Sequence, residues 1–236
     1  MDITYLSPQV CVADDVLALE EVHTLQEAVA RVPFRQVHSH YYRKVWGLQQ
    51  SIPLEGPVYL HGDAEHLRDA RLPLPTESAL TPLVQAIRSL VSHAPDLTGT
   101  EGLAWNAFTM IPYVYTVGSG LGVHLDAGQY AGSFVYFLHT EWDLDWGGEL
   151  MVLDSRTAVR PEDDDWLHIP SQRAGYLTPG VATAVLARPN RLALLSPEAI
   201  HMVSAVHSSA GTRARTSVAG FLLRPLQGYV GEITEH

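Results

Sequence analysis

The sequence predicts a mainly β protein in which helices come first and a β jelly-roll follows. Two segments with helical periodicity lie in the first hundred residues, whereas short apolar segments separated by glycine and proline dominate the rest. A chain of 236 residues suits one domain, because barrels and sandwiches of this length often stay undivided. We therefore expect a single domain, with residues 1–103 packing as a helical or mixed part on a core formed by residues 104–226.

Two segments near the N-terminus predict amphipathic helices. In residues 14–32, apolar side chains recur at helical spacing, Asp14 or Asp15 can cap the start, and Pro33 ends the segment. Residues 77–93 repeat the same spacing of apolar side chains. Each segment therefore has one apolar side that can pack against the remainder of the chain.

From about residue 104, the apolar segments become short and rich in Val, Tyr, Phe and Leu. Short strands with turn signals between them are typical of a sandwich or a barrel. The predicted strands are Ala107–Tyr115, 133–139, 149–153, 181–186, Arg191–Leu195, 202–206 and 217–223. The acidic, proline-bearing residues 157–172 are expected to form a surface loop.

Composition limits the partners and the compartment. The formal net charge of −11 disfavours a nucleic-acid backbone or an anionic membrane, since either would repel the protein. No apolar run is long enough to span a bilayer, and the single cysteine, Cys11, excludes an internal disulfide and a cysteine-based zinc site. We expect a cytoplasmic protein that acts on a small molecule; the sequence does not indicate its oligomeric state.

A candidate metal site begins at the pentapeptide Gly-Val-His-Leu-Asp, which contains His124 and Asp126. In a strand, side chains two residues apart project from the same face, so this pair can bind one ion. His201 supplies a third ligand after a further apolar run. Two histidines and one carboxylate leave open coordination positions and are typical of non-haem iron(II) oxygenases. The same ligands could bind zinc, and each histidine alone is more often an ordinary hydrogen-bonded residue.

Five segments between residues 113 and 224 strengthen the iron interpretation. They are 115–126, 133–142, 146–150 with the motif Trp-Gly-Gly-Glu-Leu, 201–206, and 215–221 with the motif Arg-x-Ser. In this order they resemble the prolyl-4-hydroxylase-like branch of the 2-oxoglutarate/iron(II) dioxygenases. The resemblance covers about half of the chain and implies a double-stranded β-helix core, iron(II), 2-oxoglutarate and O2, and it allows ascorbate as a further cofactor.

A site for 2-oxoglutarate is expected around Arg215. The oxo-acid end of 2-oxoglutarate chelates the metal, so its far carboxylate needs a cation, and an arginine fork matches a carboxylate in two parallel hydrogen bonds. Ser217 lies two residues on and can add a hydroxyl, and Tyr115 is a further candidate. Arg213 is predicted to share the strand face of Arg215 and is therefore the alternative cation.

Two positions bear on how this chain compares with relatives. Phe137 stands where some relatives carry a tyrosine that helps to hold 2-oxoglutarate, so a hydroxyl would have to come from Tyr113 or Tyr115. Asp126 is present, whereas related halogenases lack this carboxylate and bind chloride in its place. The resemblance therefore implies oxidation without halogenation.

The expected activity is C–H hydroxylation of a small polar metabolite such as an amino acid. A prolyl residue of a peptide is the alternative substrate, and desaturation or ring formation would use the same iron site. A non-catalytic jelly-roll binding module is the rival of another class, but it leaves the order of the five segments unexplained. Residues 34–60 could close over the barrel mouth. The candidate substrate-binding residues are His40, Tyr42, His139 and Trp142.

Overall fold

The computed structural model describes residues 1–37, 51–62, 72–73, 78–126, 129–153 and 182–225. The helices of this part are α1 (Leu19–Ala30), α2 (Thr81–His93) and α3 (Pro95–Thr98). Its strands are β1 (Asp2–Leu6), β2 (Val10–Asp14), β3 (Arg35–Gln36), β4 (Leu54–Glu55), β5 (Tyr59–Gly62), β6 (Leu72–Pro73), β7 (Ala107–Tyr115), β8 (Leu121–His124), β9 (Tyr130–Phe137), β10 (Leu150–Leu153), β11 (Ala182–Val185), β12 (Arg191–Leu195), β13 (Ile200–Val203) and β14 (Arg215–Leu223). None of the helices in these residues has the length and hydropathy that a bilayer span requires.

Two sheets form the jelly-roll. The larger sheet has the order β1-β2-β12-β9-β14-β7-β4-β3, and β5 joins it along β7. The smaller sheet has the order β11-β10-β13-β8. Side chains from both sheets meet in one buried apolar cluster, so the sheets face one another across a shared core. The mainly β double-stranded β-helix predicted from the sequence is therefore confirmed.

Side chains of β7 point alternately to the two faces of the larger sheet, so this strand contributes to two apolar clusters. Ile111, Tyr113 and Tyr115 contribute to the core between the sheets, whereas Phe108 and Met110 join a second cluster with α1 and α2. Successive side chains of a strand point to opposite faces, so this central strand is apolar on both sides. The helices therefore cover the outer face of the larger sheet and leave its inner face for the site.

The sequence predicted the strands well and the first helix poorly. All seven predicted strands are present, and Ala107–Tyr115 and Arg191–Leu195 match to the residue. The helix predicted at residues 14–32 begins only at Leu19, and two strands that the sequence did not reveal, β1 and β2, precede it. The predicted surface loop at residues 157–172 lies outside the described residues.

Asp14 does not cap a helix, because it ends β2 and accepts hydrogen bonds from two arginines. Nε and Nη2 of Arg191 lie 2.7 and 2.9 Å from its two carboxylate oxygens, and Nη1 of Arg188 lies 2.8 Å away. These donors lower the pKa of the buried Asp14 carboxyl, chiefly through the hydrogen bond from Arg191. The N–H of Ala18, at the real start of α1, donates instead to the Glu21 carboxylate.

The substitution Asp14→Asn is expected to lower the free energy of unfolding by about 3 kcal/mol, since it leaves the partly buried Arg191 without its counter-charge. Because the folded-state pKa of Asp14 lies below its unfolded value, this stabilisation is present above the unfolded pKa and is lost as the pH falls through the folded pKa. Urea unfolding at pH 7 and under acid conditions measures both effects. The matched control is Asp15→Asn, in which an exposed carboxylate loses only Arg188; an equal loss from both variants would contradict the prediction.

Candidate functional site

The smaller sheet brings three metal-ligating side chains together. His124 on β8 pairs directly with His201 on β13, and their ring centroids are 4.1 Å apart. Asp126 lies two residues beyond the end of β8. Its Oδ1 is 3.8 Å from Nε2 of His124, and its Oδ2 is 4.0 Å from Nε2 of His201. One ligand atom from each residue lies within 4.8 Å of the others. The three residues predicted from the sequence therefore meet at one point.

Backbone carbonyls orient the two imidazole rings. Nδ1 of His124 lies 2.9 Å from the Gly122 carbonyl oxygen, and Nδ1 of His201 lies 2.9 Å from that of Ala199. A ring nitrogen that faces a carbonyl carries the hydrogen, so the neutral tautomer has its lone pair on Nε2. Such outer partners are usual for metal-ligating histidines, because they fix the tautomer and the ring orientation. Two neutral imidazoles and one carboxylate are a donor set that suits iron(II).

Arg215 is buried at the start of β14 and has an incomplete set of partners. Its side chain is 1% exposed and lies between two aromatic rings, 4.9 Å from the Tyr115 centroid and 4.8 Å from that of Phe137. Nη1 donates to the Ser217 hydroxyl over 3.3 Å. Nε and Nη2 are buried without a hydrogen-bond partner among the residues that the structure describes. A buried cation with unpaired donors is costly unless an anion completes it.

The unpaired nitrogens form the edge of the guanidinium that binds carboxylates side-on. Arg191 uses this same edge, Nε with Nη2, to hold both oxygens of Asp14. Burial lowers the pKa of Arg215 to about 10, so the group keeps its positive charge at neutral pH. The geometry and charge around Arg215 therefore fit the far carboxylate of a dicarboxylic acid.

The paired glycines of the Trp-Gly-Gly-Glu-Leu motif shape this site. Gly148 has φ +76°, and a Cβ there would lie 2.8 Å from Cδ of Arg215. Gly147, with φ +71°, approaches the Ala205 carbonyl so closely that a Cβ would overlap it. Both positions therefore require glycine, for conformation and for space. The sequence contained the motif as a signal, but only the fold reveals that Gly148 packs on Arg215.

Arg213, the alternative cation, lies outside the core. It precedes β14, its side chain is 50% exposed, and Nε donates to the Glu141 carboxylate over 2.6 Å. Its guanidinium also lies 4.6 Å from the ring centroid of Trp146. The expectation that Arg213 shares the strand face of Arg215 is therefore wrong, because β14 starts only at residue 215.

The structure also locates the other predicted residues. His139 is buried just after β9, and Trp142 donates from Nε1 to the Gly147 carbonyl over 2.8 Å. The role in substrate binding that was assigned to both stays a prediction. His40 and Tyr42 lie outside the described residues. In the segment 34–60, the described residues form β3, β4 and the start of β5, which extend the larger sheet beside β7.

The family comparison agrees with this geometry. Residues 110–223 match the family model of the 2OG-Fe(II) oxygenase superfamily, where 2OG denotes 2-oxoglutarate. This matched segment, just under half of the chain, belongs to the superfamily. The matched range contains all three metal-ligating residues together with Tyr115, Arg215 and Ser217. The oxygenase is thus an oxidoreductase that depends on iron(II), 2-oxoglutarate and O2.

Solved structures share the oxygenase fold at low sequence identity. A prolyl-4-hydroxylase from Pseudomonas putida is 16% identical with a TM-score of 0.60, over 92% of this chain and 93% of its own. A Trichoplax adhaerens prolyl hydroxylase in complex with a hypoxia inducible factor peptide fragment is 15% identical with a TM-score of 0.55, over 92% and 84%. HygX from Streptomyces hygroscopicus, with nickel, 2-oxoglutarate and hygromycin B bound, is 12% identical with a TM-score of 0.55, over 91% and 83%. No curated protein matches the oxygenase in sequence.

Proposed function

We propose that His124, Asp126 and His201 bind the iron(II) and that Arg215 binds the far carboxylate of 2-oxoglutarate. The observation that carries this proposal is the buried guanidinium of Arg215, whose Nε and Nη2 have no hydrogen-bond partner among the described residues. The convergence of one carboxylate and two carbonyl-oriented imidazoles supports the metal assignment. The triad belongs to the smaller sheet and Arg215 to the larger sheet, and the two sheets share one core.

Ser217 and Tyr115 complete the proposed carboxylate site. Ser217 accepts a hydrogen bond from Arg215, and its own hydroxyl hydrogen can then point towards a bound carboxylate. Burial raises the pKa of Tyr115 to about 12, so the phenol keeps its proton and can act as a donor. Phe137 contributes only its ring to the other side of the guanidinium.

Iron(II), 2-oxoglutarate and O2 together supply the oxidation, in which 2-oxoglutarate becomes succinate and CO2 while the substrate R–H becomes R–OH. The residues of the chain orient and neutralise the reactants. Two neutral imidazoles and the single carboxylate of Asp126 leave a net positive charge at the metal, which attracts the anionic oxo-acid group. Arg215 balances the second carboxylate in a buried place, where its hydrogen bonds are not shared with water.

The proposed substrate is a small polar metabolite such as an amino acid. HygX holds hygromycin B and the Trichoplax enzyme holds a peptide fragment, so the shared fold accommodates both substrate classes. A compact chain without a recognisable peptide-binding module favours the smaller class. The net charge of −11 adds a preference for a zwitterionic or cationic substrate over an acidic one. Hydroxylation of a peptidyl proline, and desaturation or cyclisation at the same iron, are the alternatives.

Two measurements test this proposal in sequence. Anaerobic titration of the iron(II) protein with 2-oxoglutarate is expected to give a weak visible absorption band. Separate pools of amino acids and proline-containing peptides, supplied with ¹⁸O2, are then assayed for succinate and for a labelled product by mass spectrometry. Stimulation by peptides alone would contradict the proposed substrate class, and absence of both the band and succinate would contradict the proposed site.

The substitution Asp126→Gly is expected to reduce hydroxylation to a trace and to open a position where chloride can bind. The reason is that Asp126 supplies the only carboxylate among the metal-ligating residues that the structure brings together. The measurement is product mass in the presence of chloride, compared with the wild-type protein. Chlorination of the substrate by the wild-type protein would overturn this interpretation of Asp126.

A further inference from the structure

His139 has both ring nitrogens engaged by backbone carbonyls. Nε2 lies 2.6 Å from the carbonyl oxygen of Ala187, and Nδ1 lies 3.2 Å from that of Thr216, the residue after Arg215. The Thr216 carbonyl already accepts the N–H of Leu138 over 2.9 Å. The imidazole therefore donates to the loop before β12 and packs beside the start of β14.

Burial favours the neutral form of the His139 ring. It is the main cause that lowers the pKa of His139 to about 4, and the positive charge of Arg215 adds to it. Arg213, which precedes β14, is paired with Glu141. A neutral ring has one N–H, and the short contact to Ala187 assigns that hydrogen to Nε2. The ring can therefore pack beside Arg215 without a second buried positive charge.

His139 also contacts two aromatic side chains close to Arg215. Its ring centroid is 6.0 Å from that of Phe137, over which the Arg215 guanidinium lies. It is also 4.9 Å from the ring of Trp142, which donates a hydrogen bond to the Gly147 carbonyl. The next residue is Gly148, where a Cβ would lie 2.8 Å from Cδ of Arg215. The imidazole therefore packs against both aromatic rings beside Arg215.

We propose that His139 is a positioning residue for the co-substrate site: through its ring contacts with Phe137 and Trp142 it fixes the guanidinium of Arg215 where the far carboxylate binds. The inference rests on the proposed role of Arg215 and deepens it. Positioned donors of this kind depend on a supporting layer of packed and hydrogen-bonded side chains.

Two variants and two ligands test the proposal. His139→Leu introduces an apolar side chain of similar size that cannot donate a hydrogen bond to Ala187. His139→Gln keeps a hydrogen-bond donor, the amide N–H. The ligands are 2-oxoglutarate and 2-oxobutyrate, which has the same oxo-acid group but no far carboxylate. Binding is followed through the visible band of the anaerobic iron(II) protein, and thermal unfolding reports the stability of each variant.

His139→Leu is expected to weaken 2-oxoglutarate binding about tenfold and to leave 2-oxobutyrate binding unchanged, with most of the loss recovered in His139→Gln. Equal weakening of both ligands, or no weakening of either, would overturn the proposal. Wild-type protein that binds 2-oxoglutarate no better than 2-oxobutyrate would instead contradict the role of Arg215 itself. If His139→Leu does not fold, Trp142→Phe removes the hydrogen bond to Gly147 and part of the ring contact with His139, and it must show the same selective loss.

Discussion

Alanine at His201 is expected to abolish turnover and to weaken iron(II) binding at least about 100-fold, since loss of an outer hydrogen-bond partner alone typically costs about 10- to 100-fold. The same result is expected for His124→Ala and Asp126→Ala, because the ligand atoms of these three side chains converge at one point and are the proposed protein ligands of the iron. Equilibrium dialysis with metal analysis measures iron binding, and succinate release measures turnover.

The fold is expected to survive each of these substitutions. The core between the sheets is built from apolar side chains, whereas the triad lies beside it. Circular dichroism of the iron-free proteins checks this point. His93→Ala is the matched control, because His93 is exposed at the end of α2, where its ring hydrogen-bonds to the Ser89 carbonyl. A triad variant that retains full iron content and activity without added imidazole would remove that residue from the site.

Arg215→Ala is expected to raise the dissociation constant of 2-oxoglutarate by about 30- to 5000-fold. Truncating one partner of a buried charge pair costs about 2–5 kcal/mol, and each 1.4 kcal/mol is a factor of ten. Iron binding should change little, since Arg215 belongs to another sheet from the triad. Arg215→Lys should recover only part of the loss, because lysine keeps the charge without the planar fork.

Arg213→Ala is the control for this experiment, since the exposed Arg213 binds Glu141 and lies over Trp146. Thermal unfolding of Arg215→Met gives a second test. This variant should lose 2-oxoglutarate binding, but in the absence of 2-oxoglutarate its unfolding temperature should equal or exceed that of the wild-type protein. The reason is that a buried guanidinium with two unpaired nitrogens destabilises the free protein, whereas methionine fills similar space without charge. Loss of 2-oxoglutarate binding in Arg213→Ala but not in Arg215→Ala would contradict the assignment.

Where a structural feature depends on neighbouring residues, the sequence was sufficient. Short continuous apolar runs predicted β7 and β12 to the residue, because a strand that is buried on both faces is apolar throughout. The second helix was equally readable, since its apolar residues recur at helical spacing and it begins and ends within residues 77–93. The spacing of His124 and Asp126, followed by His201, predicted three side chains that lie together in the structure.

Contacts between residues far apart in the sequence determined the features that the sequence alone did not predict. Asp14 looked like a helix cap, but strand pairing with β12 places it between Arg188 and Arg191, residues more than 170 positions away. Nothing local distinguishes Arg213 from Arg215 either: the point where β14 begins to pair with β7 leaves one in solvent and buries the other. The hydrogen bond that holds the ring of His139 is also long-range, since it reaches Ala187. The sequence by itself determined which chemical groups this oxygenase contains. Strand register decided which of these groups are buried and which partners they have, because register brings together residues that are distant along the chain.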